Sequence, residues 1–150
     1  MKNFWGYFVV GFLLLGITVA FVAPGREPVG HSMTPPDTSS LSAGDAIAEV
    51  NLPADLSTNA QIGKTAFEAK CAACHGANAA GQNGVAPPLV HKIYEPSHHG
   101  DEAFWIATQR GVRAHHWRFG DMPPVEGLTR GDVTMIVAYV RELQRANGIN

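Results

Sequence analysis

The longest hydrophobic run of the chain lies at its N-terminus. From Phe4 to Ala23 there are 20 residues, of which 16 are apolar and none is Asp, Glu, Lys, Arg or His. A helix rising about 1.5 Å per residue would make this run roughly 30 Å long, the thickness of a hydrocarbon core. The pattern predicts a transmembrane helix within residues 1–23. A cleaved signal peptide is the alternative, although its apolar core is usually only about 7–15 residues long.

The charges beside this run predict its orientation. Lys2 and the terminal amino group precede it, whereas Arg26 beyond it is followed by Glu27. Because positive charge is retained on the cytoplasmic side, we expect the N-terminus in the cytoplasm and the rest of the chain exported.

Residues 24–59 show no hydrophobic period. Their five prolines are scattered among Ser, Thr, Gly and Asp, and their net charge is −4. This composition is typical of a flexible linker, whose 36 residues would span about 30–36 Å r.m.s. as a coil.

Helical spacing of apolar residues begins near residue 60, and we place a globular domain over 60–150. The first predicted helix is Gln61–Lys70, with Ile62, Ala66 and Ala69 on its apolar side and Phe67 nearby.

Two further helices are predicted downstream. The first, Asp101–Arg110, has two acidic residues in its first turn and stops at Gly111. The second opens at Thr129, with Asp132 at the capping-box position, and runs to about residue 146. Its apolar stripe runs from Val133 to Gln144, and most of its charged residues, Arg141 among them, are expected elsewhere.

No alternating strand pattern stands out between these helices, and the loops 76–88 and 118–127 are rich in Gly and Pro. The expected fold class is therefore all-α, with about three main helices and long loops. So small a domain usually needs a covalent or metal staple in place of a large core.

Cys71-Ala72-Ala73-Cys74-His75 supplies such a staple. The spacing C-x-x-C-H is the attachment pattern of c-type haem, in which both thiols bond one porphyrin and the adjoining imidazole binds the iron. A thioredoxin-like redox pair would need strands, and a zinc site would need further paired ligands. The motif predicts one covalent haem c on Cys71 and Cys74, with His75 as an axial ligand.

With this motif in place, residues 60–150 resemble class I c-type cytochromes, the small monohaem electron carriers of bacterial periplasms. Gly63 and Phe67 match the family's N-terminal helix, and Ile136 and Tyr139 match the C-terminal helix on which it packs. Gly63 lacks a Cβ, so the two helices can approach closely there. The resemblance implies a cytochrome c fold around the haem.

The resemblance also implies roles for the loops. Ala86-Pro87-Pro88-Leu89 looks like the family's segment beneath the proximal histidine. By that match the Pro87 carbonyl accepts the His75 ring N–H, and Leu89 packs on the haem. Relatives place propionate-binding groups just before the sixth-ligand loop, which makes Arg113 and Trp117 the candidates here.

The sixth iron ligand decides the function. Of the four methionines, Met1 is the start, Met33 lies in the linker and Met135 belongs to a helix. Met122 sits in the rigid loop Gly120–Pro124, where short cytochromes of the class carry their ligand, and a Met/His pair suits respiratory electron transfer. His115 or His116 is the alternative ligand.

These residues predict a membrane-anchored electron-transfer protein with no enzymatic activity of its own and no small-molecule substrate. It would be a single-pass protein of the bacterial inner membrane, with the haem domain in the periplasm and redox proteins there or in the membrane as partners. No block of like charge exists for nucleic acid to meet. Two alternatives stay open: a haem c subunit of a larger oxidoreductase, and a haem or metal sensor using the pairs His98-His99 and His115-His116.

Overall fold

The structure is a computed structural model and describes residues 33–150. Within them the chain forms four α-helices and two 3₁₀ turns. The α-helices are α1, Thr58–Lys70; α2, Ala72–His75; α3, Asp101–Arg110; and α4, Arg130–Ala146, and the 3₁₀ turns are Ala77–Ala79 and Lys92–Tyr94.

The all-α prediction is confirmed for these residues, since they contain only isolated antiparallel bridges, Gln82 with Ala86 and Val112 with Met122. The predicted transmembrane helix of residues 1–23 lies outside the described residues. Across residues 33–150, every helix is too short or too polar to cross a membrane.

Local capping signals determine where the long helices begin. The Thr129 hydroxyl accepts a hydrogen bond from the Asp132 N–H, while the Asp132 carboxylate accepts one from the Thr129 N–H, which is the predicted capping box. Helix α3 also has its predicted bounds and ends at Gly111. Helix α1 begins earlier than predicted because the Ser57 hydroxyl accepts from the Ala60 N–H and so caps it.

Helices α1 and α4 pack across each other at Gly63. A Cβ built on Gly63 would lie only 1.8 Å from the Met135 carbonyl oxygen, so no other residue allows this approach without a shift of the backbone. One turn further on, the Phe67 and Tyr139 rings meet with centroids 5.7 Å apart. The predicted helix pair is confirmed, and both rings are buried in the main core.

The face that α1 buries differs from the predicted one. The buried positions are Ala60, Gly63 and Phe67, whereas Ile62 is 54% exposed. The expectation of a buried Ile62 side was wrong because Gly63 must face α4, and this contact sets the rotation of α1 about its axis.

Arg141 was also expected outside the apolar stripe of α4, yet only 6% of it is exposed. Its guanidinium donates to Asp101 Oδ1 at 2.9 Å, to the Tyr94 carbonyl at 2.7 Å and to Gln144 Oε1 at 2.6 Å. It also donates to the His99 carbonyl. A buried charge is tolerated when its donors are satisfied in this way, and the bonds attach α4 to the loop before α3.

The end of the predicted linker packs on the domain. The N–H groups of Ile47 and Ala48 both donate to the Ala80 carbonyl, at 3.1 and 2.9 Å. Asn51 and Asn147 exchange two hydrogen bonds of 2.9 Å each. Val50 and Leu56 pack against apolar surface of the core that α1 and α4 leave uncovered.

Hydrogen bonds between the predicted linker and the domain begin at Leu41. The Leu41 carbonyl accepts one from the Asn83 side chain at 3.0 Å. The structure therefore differs from the expectation of a free linker over all of 24–59, since the part from Leu41 onward is attached to the domain.

Replacing Gly63 by Ala should destabilise the fold by about 3 kcal/mol, because the added methyl group forces the helices apart. Gly131→Ala is the matched control, since a Cβ there meets Thr129 Oγ1 at an ordinary 3.6 Å. The control should be neutral or stabilising by about 0.5–1 kcal/mol, the helix preference for Ala over Gly. Urea unfolding of both variants measures the difference, and equal stabilities would contradict the close crossing.

Candidate cofactor-attachment site

The Cys71–His75 segment is a single turn continuous with α1. Cys71 ends α1, because its N–H donates to the Phe67 carbonyl at 2.8 Å. The same residue precedes α2, and its carbonyl accepts from the His75 N–H at 2.8 Å. Cys71 and Cys74 are free thiols, the first half-buried and the second exposed. Burial, and secondly the neighbouring Cys74, raise the pKa of the Cys71 thiol to about 11. The Cys71 thiol is therefore protonated at neutral pH and is not a reactive thiolate of the redox type.

The His75 imidazole is buried and oriented by one hydrogen bond. Its Nδ1 lies 2.9 Å from the Pro87 carbonyl oxygen. Since a carbonyl only accepts, Nδ1 carries the proton and the lone pair of Nε2 is left for a metal. Burial lowers the pKa of His75, and the Pro87 bond partly opposes this shift, so the ring is held in the neutral form that ligates iron.

Two glycines bring Pro87 to His75. A Cβ on Gly76 would lie 2.6 Å from the Gly81 carbonyl oxygen, and one on Gly81 would lie 2.5 Å from the Pro88 nitrogen. Both residues have φ of +74°, a region that glycine enters without strain. The chain can therefore double back after the cysteine motif and return beneath the imidazole.

Gln82 stabilises the same turn and was not identified from the sequence. Its side-chain amide nitrogen donates to the carbonyls of Ala73 at 2.8 Å and Cys74 at 3.1 Å, with a weaker contact to Ala72 at 3.3 Å. These are carbonyls at the end of a short helix, which otherwise lack partners. No sequence signal marks this role, because a single glutamine in a loop has no characteristic spacing.

The Met122 loop is fastened to the end of α3. Val112 and Met122 exchange two backbone hydrogen bonds of 2.9 Å, and the Val125 N–H donates to the Thr108 carbonyl at 2.8 Å. Gly111 allows this contact, since a Cβ there would lie 2.4 Å from the Met122 carbonyl oxygen. Met122 is half-buried in a backbone held from both sides.

Trp117 is buried, with 7% of its surface exposed. Its ring packs on His91 and Phe119, with centroids 5.6 Å away in each case. The indole N–H has no acceptor at hydrogen-bonding geometry within residues 33–150, although the Tyr94 hydroxyl is close enough to interact with it. The indole donor is therefore not fully committed to a protein partner among the described residues.

The remaining predicted pocket residues differ in their surroundings. Leu89 is partly buried against the core, and its N–H donates to the Ala79 carbonyl at 2.9 Å. Arg113 is exposed, and its carbonyl oxygen lies 2.9 Å from His115 Nδ1. The contacts of Leu89 and Arg113 with a haem stay predictions.

The residues at this site fit haem c. Two unpaired thiols three positions apart and one neutral imidazole with a free Nε2 match its vinyl groups and iron. In comparisons with known proteins, a family model described as cytochrome c matches residues 60–144. No curated protein and no solved structure matches the chain.

Gln82→Ala should destabilise the domain by about 0.5–1.5 kcal/mol, because it removes the side-chain donor that the carbonyls of the cysteine turn share. Gln82→Glu should do the same, since a carboxylate keeps the shape but cannot donate. Gln109→Ala on the exposed side of α3 is the control and should change stability by less than about 0.5 kcal/mol. Thermal unfolding checks this order, and a Glu variant as stable as the parent would contradict the role of the amide.

Proposed function

Because the chain belongs to the cytochrome c family and binds haem c covalently, we propose that it is a membrane-anchored, single-haem carrier of class I that passes single electrons between redox proteins. Haem c supplies a one-electron couple at its iron. Within this proposal Cys71 and Cys74 hold the haem and His75 binds the iron.

The observation that carries this proposal is the bond between His75 Nδ1 and the Pro87 carbonyl. It fixes the tautomer and the direction of the imidazole before any iron is bound, so little rearrangement is required on binding. A carrier benefits from such a fixed ligand, since its geometry then changes little between the two oxidation states.

We assign the sixth position to Met122. The double hydrogen bond to Val112 holds its backbone, and the prolines that follow restrict it further. With His75 and Met122 both bound, no coordination site is left for a substrate, which supports electron transfer rather than catalysis.

In the same proposal Trp117 donates its indole N–H to a haem carboxylate, Leu89 packs on the porphyrin and Arg113 adds positive charge near the carboxylates. The buried, incompletely bonded indole of Trp117 supports the first assignment. The other two rest on the family resemblance.

The N-terminal apolar run supports placing the protein in a bacterial inner membrane, with residues 1–23 as the anchor and the haem domain in the periplasm. Residues 24–40 are then what remains of the proposed linker. As a coil, these 17 residues would span about 21–25 Å r.m.s..

This short reach favours one alternative, in which the domain is the haem c subunit of a larger oxidoreductase. The attachment of residues 41–57 to the domain roughly halves the length of the proposed linker and limits the partners to those close to the anchor. Its electron-transfer chemistry would be the same.

Met122→Leu should remove the weak near-infrared band that sulfur-to-iron ligation gives in the oxidised protein. It should also lower the Kd for added imidazole at least tenfold, about 1.4 kcal/mol, because imidazole no longer displaces the thioether. Absorption spectroscopy measures both effects. The matched controls Met33→Leu and Met135→Leu should leave the band unchanged, and a Met122 variant with the parent spectrum would move the sixth ligand to His115 or His116.

Two equal-length replacements test the linker boundary. Gly/Ser sequence in place of residues 24–40 should leave the unfolding temperature and electron transfer in membranes unchanged, whereas Gly/Ser in place of 41–57 should lower the unfolding temperature by several degrees. Deleting 24–40 should slow transfer to any partner beyond the shortened reach. Preserved transfer after the deletion would indicate a fixed partner, and loss after the first replacement would contradict a passive linker.

A further inference from the structure

Four histidines outside the proposed haem site lie in the two loops that flank α3, and their rings come together. His98 and His99 precede the helix, and His115 and His116 follow it. The ring centroid of His116 lies 5.6 Å from that of His98, 5.5 Å from that of His99 and 4.4 Å from that of His115. The loop after α3 therefore returns to the loop before it, and imidazoles line their contact.

Three of these rings have the spacing of a metal site. One ring nitrogen from each of His98, His99 and His116 lies within 4.8 Å of the others, the only such group of ligand residues within 33–150. Nitrogen atoms bound to one tetrahedral ion at 2.0–2.1 Å are about 3.3 Å apart. The group must close by roughly 1.5 Å to hold such an ion, and the exposed ring of His98 has the most room to move.

His99 is held in the orientation that a ligand needs. Its Nδ1 lies 2.6 Å from the Ile93 carbonyl oxygen, so Nδ1 carries the proton and Nε2 keeps its lone pair. Metal-binding histidines commonly donate their second ring N–H to a carbonyl in this way. The same arrangement orients His75 toward iron.

The protonation of these histidines also suits metal binding. Burial first, and then the neighbouring histidines, lower the pKa of His116. Burial also lowers the pKa of His99; the Ile93 hydrogen bond opposes this shift, and the neighbouring histidines add to it. Both shifts favour the neutral rings that metals require. Arg141 also lowers the pKa of His99, and its own charge is paired with Asp101 at 2.9 Å.

We propose that His98, His99 and His116 bind one divalent transition-metal ion, separately from the haem iron, with Cu(II) held more tightly than Zn(II). Imidazole suits both ions, and nitrogen sites generally prefer Cu(II) to Zn(II). Three protein ligands at an accessible position leave a further coordination position to water. The ion would join the two loops that flank α3.

The test uses oxidised, haem-loaded protein that carries no polyhistidine tag and has been freed of metal with a chelator. Calorimetric titration with Zn(II) should show one site per haem, and Cu(II) should displace the zinc. The copper form should give an electron paramagnetic resonance spectrum with splitting from nitrogen ligands. His98→Gln and His116→Gln should each weaken Zn(II) binding at least tenfold.

His115→Gln is the matched control, since this histidine adjoins His116 but lies outside the group of three. It should change the Zn(II) affinity less than threefold. All variants should keep the visible spectrum of the haem without added metal. The proposal is overturned by unchanged affinity in the His98 and His116 variants, by an equal loss in the His115 variant, or by a changed haem spectrum in His116→Gln, which would make that residue an iron ligand.

Discussion

The close contact of α1 with α4 at Gly63 is the constraint from which the rest of the site follows. It turns the Phe67 side of α1 toward α4, and the Phe67 carbonyl then accepts the N–H of Cys71, where the haem motif begins. On the other helix, the Tyr139 hydroxyl donates to Asn78 Oδ1 at 3.2 Å, just after that motif. The Gln144 amide donates to the Leu89 carbonyl at 2.8 Å, just after the proline segment. One helix crossing therefore positions the chain segments on both sides of His75.

The sequence predicted those features whose causes are local. The bounds of α3 follow from its acidic first turn and Gly111, and the start of α4 follows from the Thr129–Asp132 capping box. The cysteine motif is likewise contained in five consecutive residues. Pro87 came from a family resemblance, and its hydrogen bond to His75 agrees with that expectation.

Features that depend on distant partners were not predictable. The hydrophobic pattern of α1 did not show its rotation, which depends on Met135, 72 residues beyond Gly63; only the family resemblance pointed to that contact. Arg141 is buried because carbonyls from the loop before α3 reach it. The grouping of the histidines likewise needs two loops that sequence spacing does not relate. Charge alone predicted an exposed Arg141, since no pattern shows that its donors are satisfied.

The reciprocal hydrogen bonds between Asn51 and Asn147 show that the folded domain begins earlier in the chain than the similarity to the family does. Similarity to the family starts at residue 60, but the chain is already joined to the end of α4 before that residue. A fragment cut where the similarity starts would expose part of the core that Val50 and Leu56 cover. Residues that family comparison would assign to a spacer are therefore part of the cooperative unit, and they place the entry of the chain into the domain beside the end of α4.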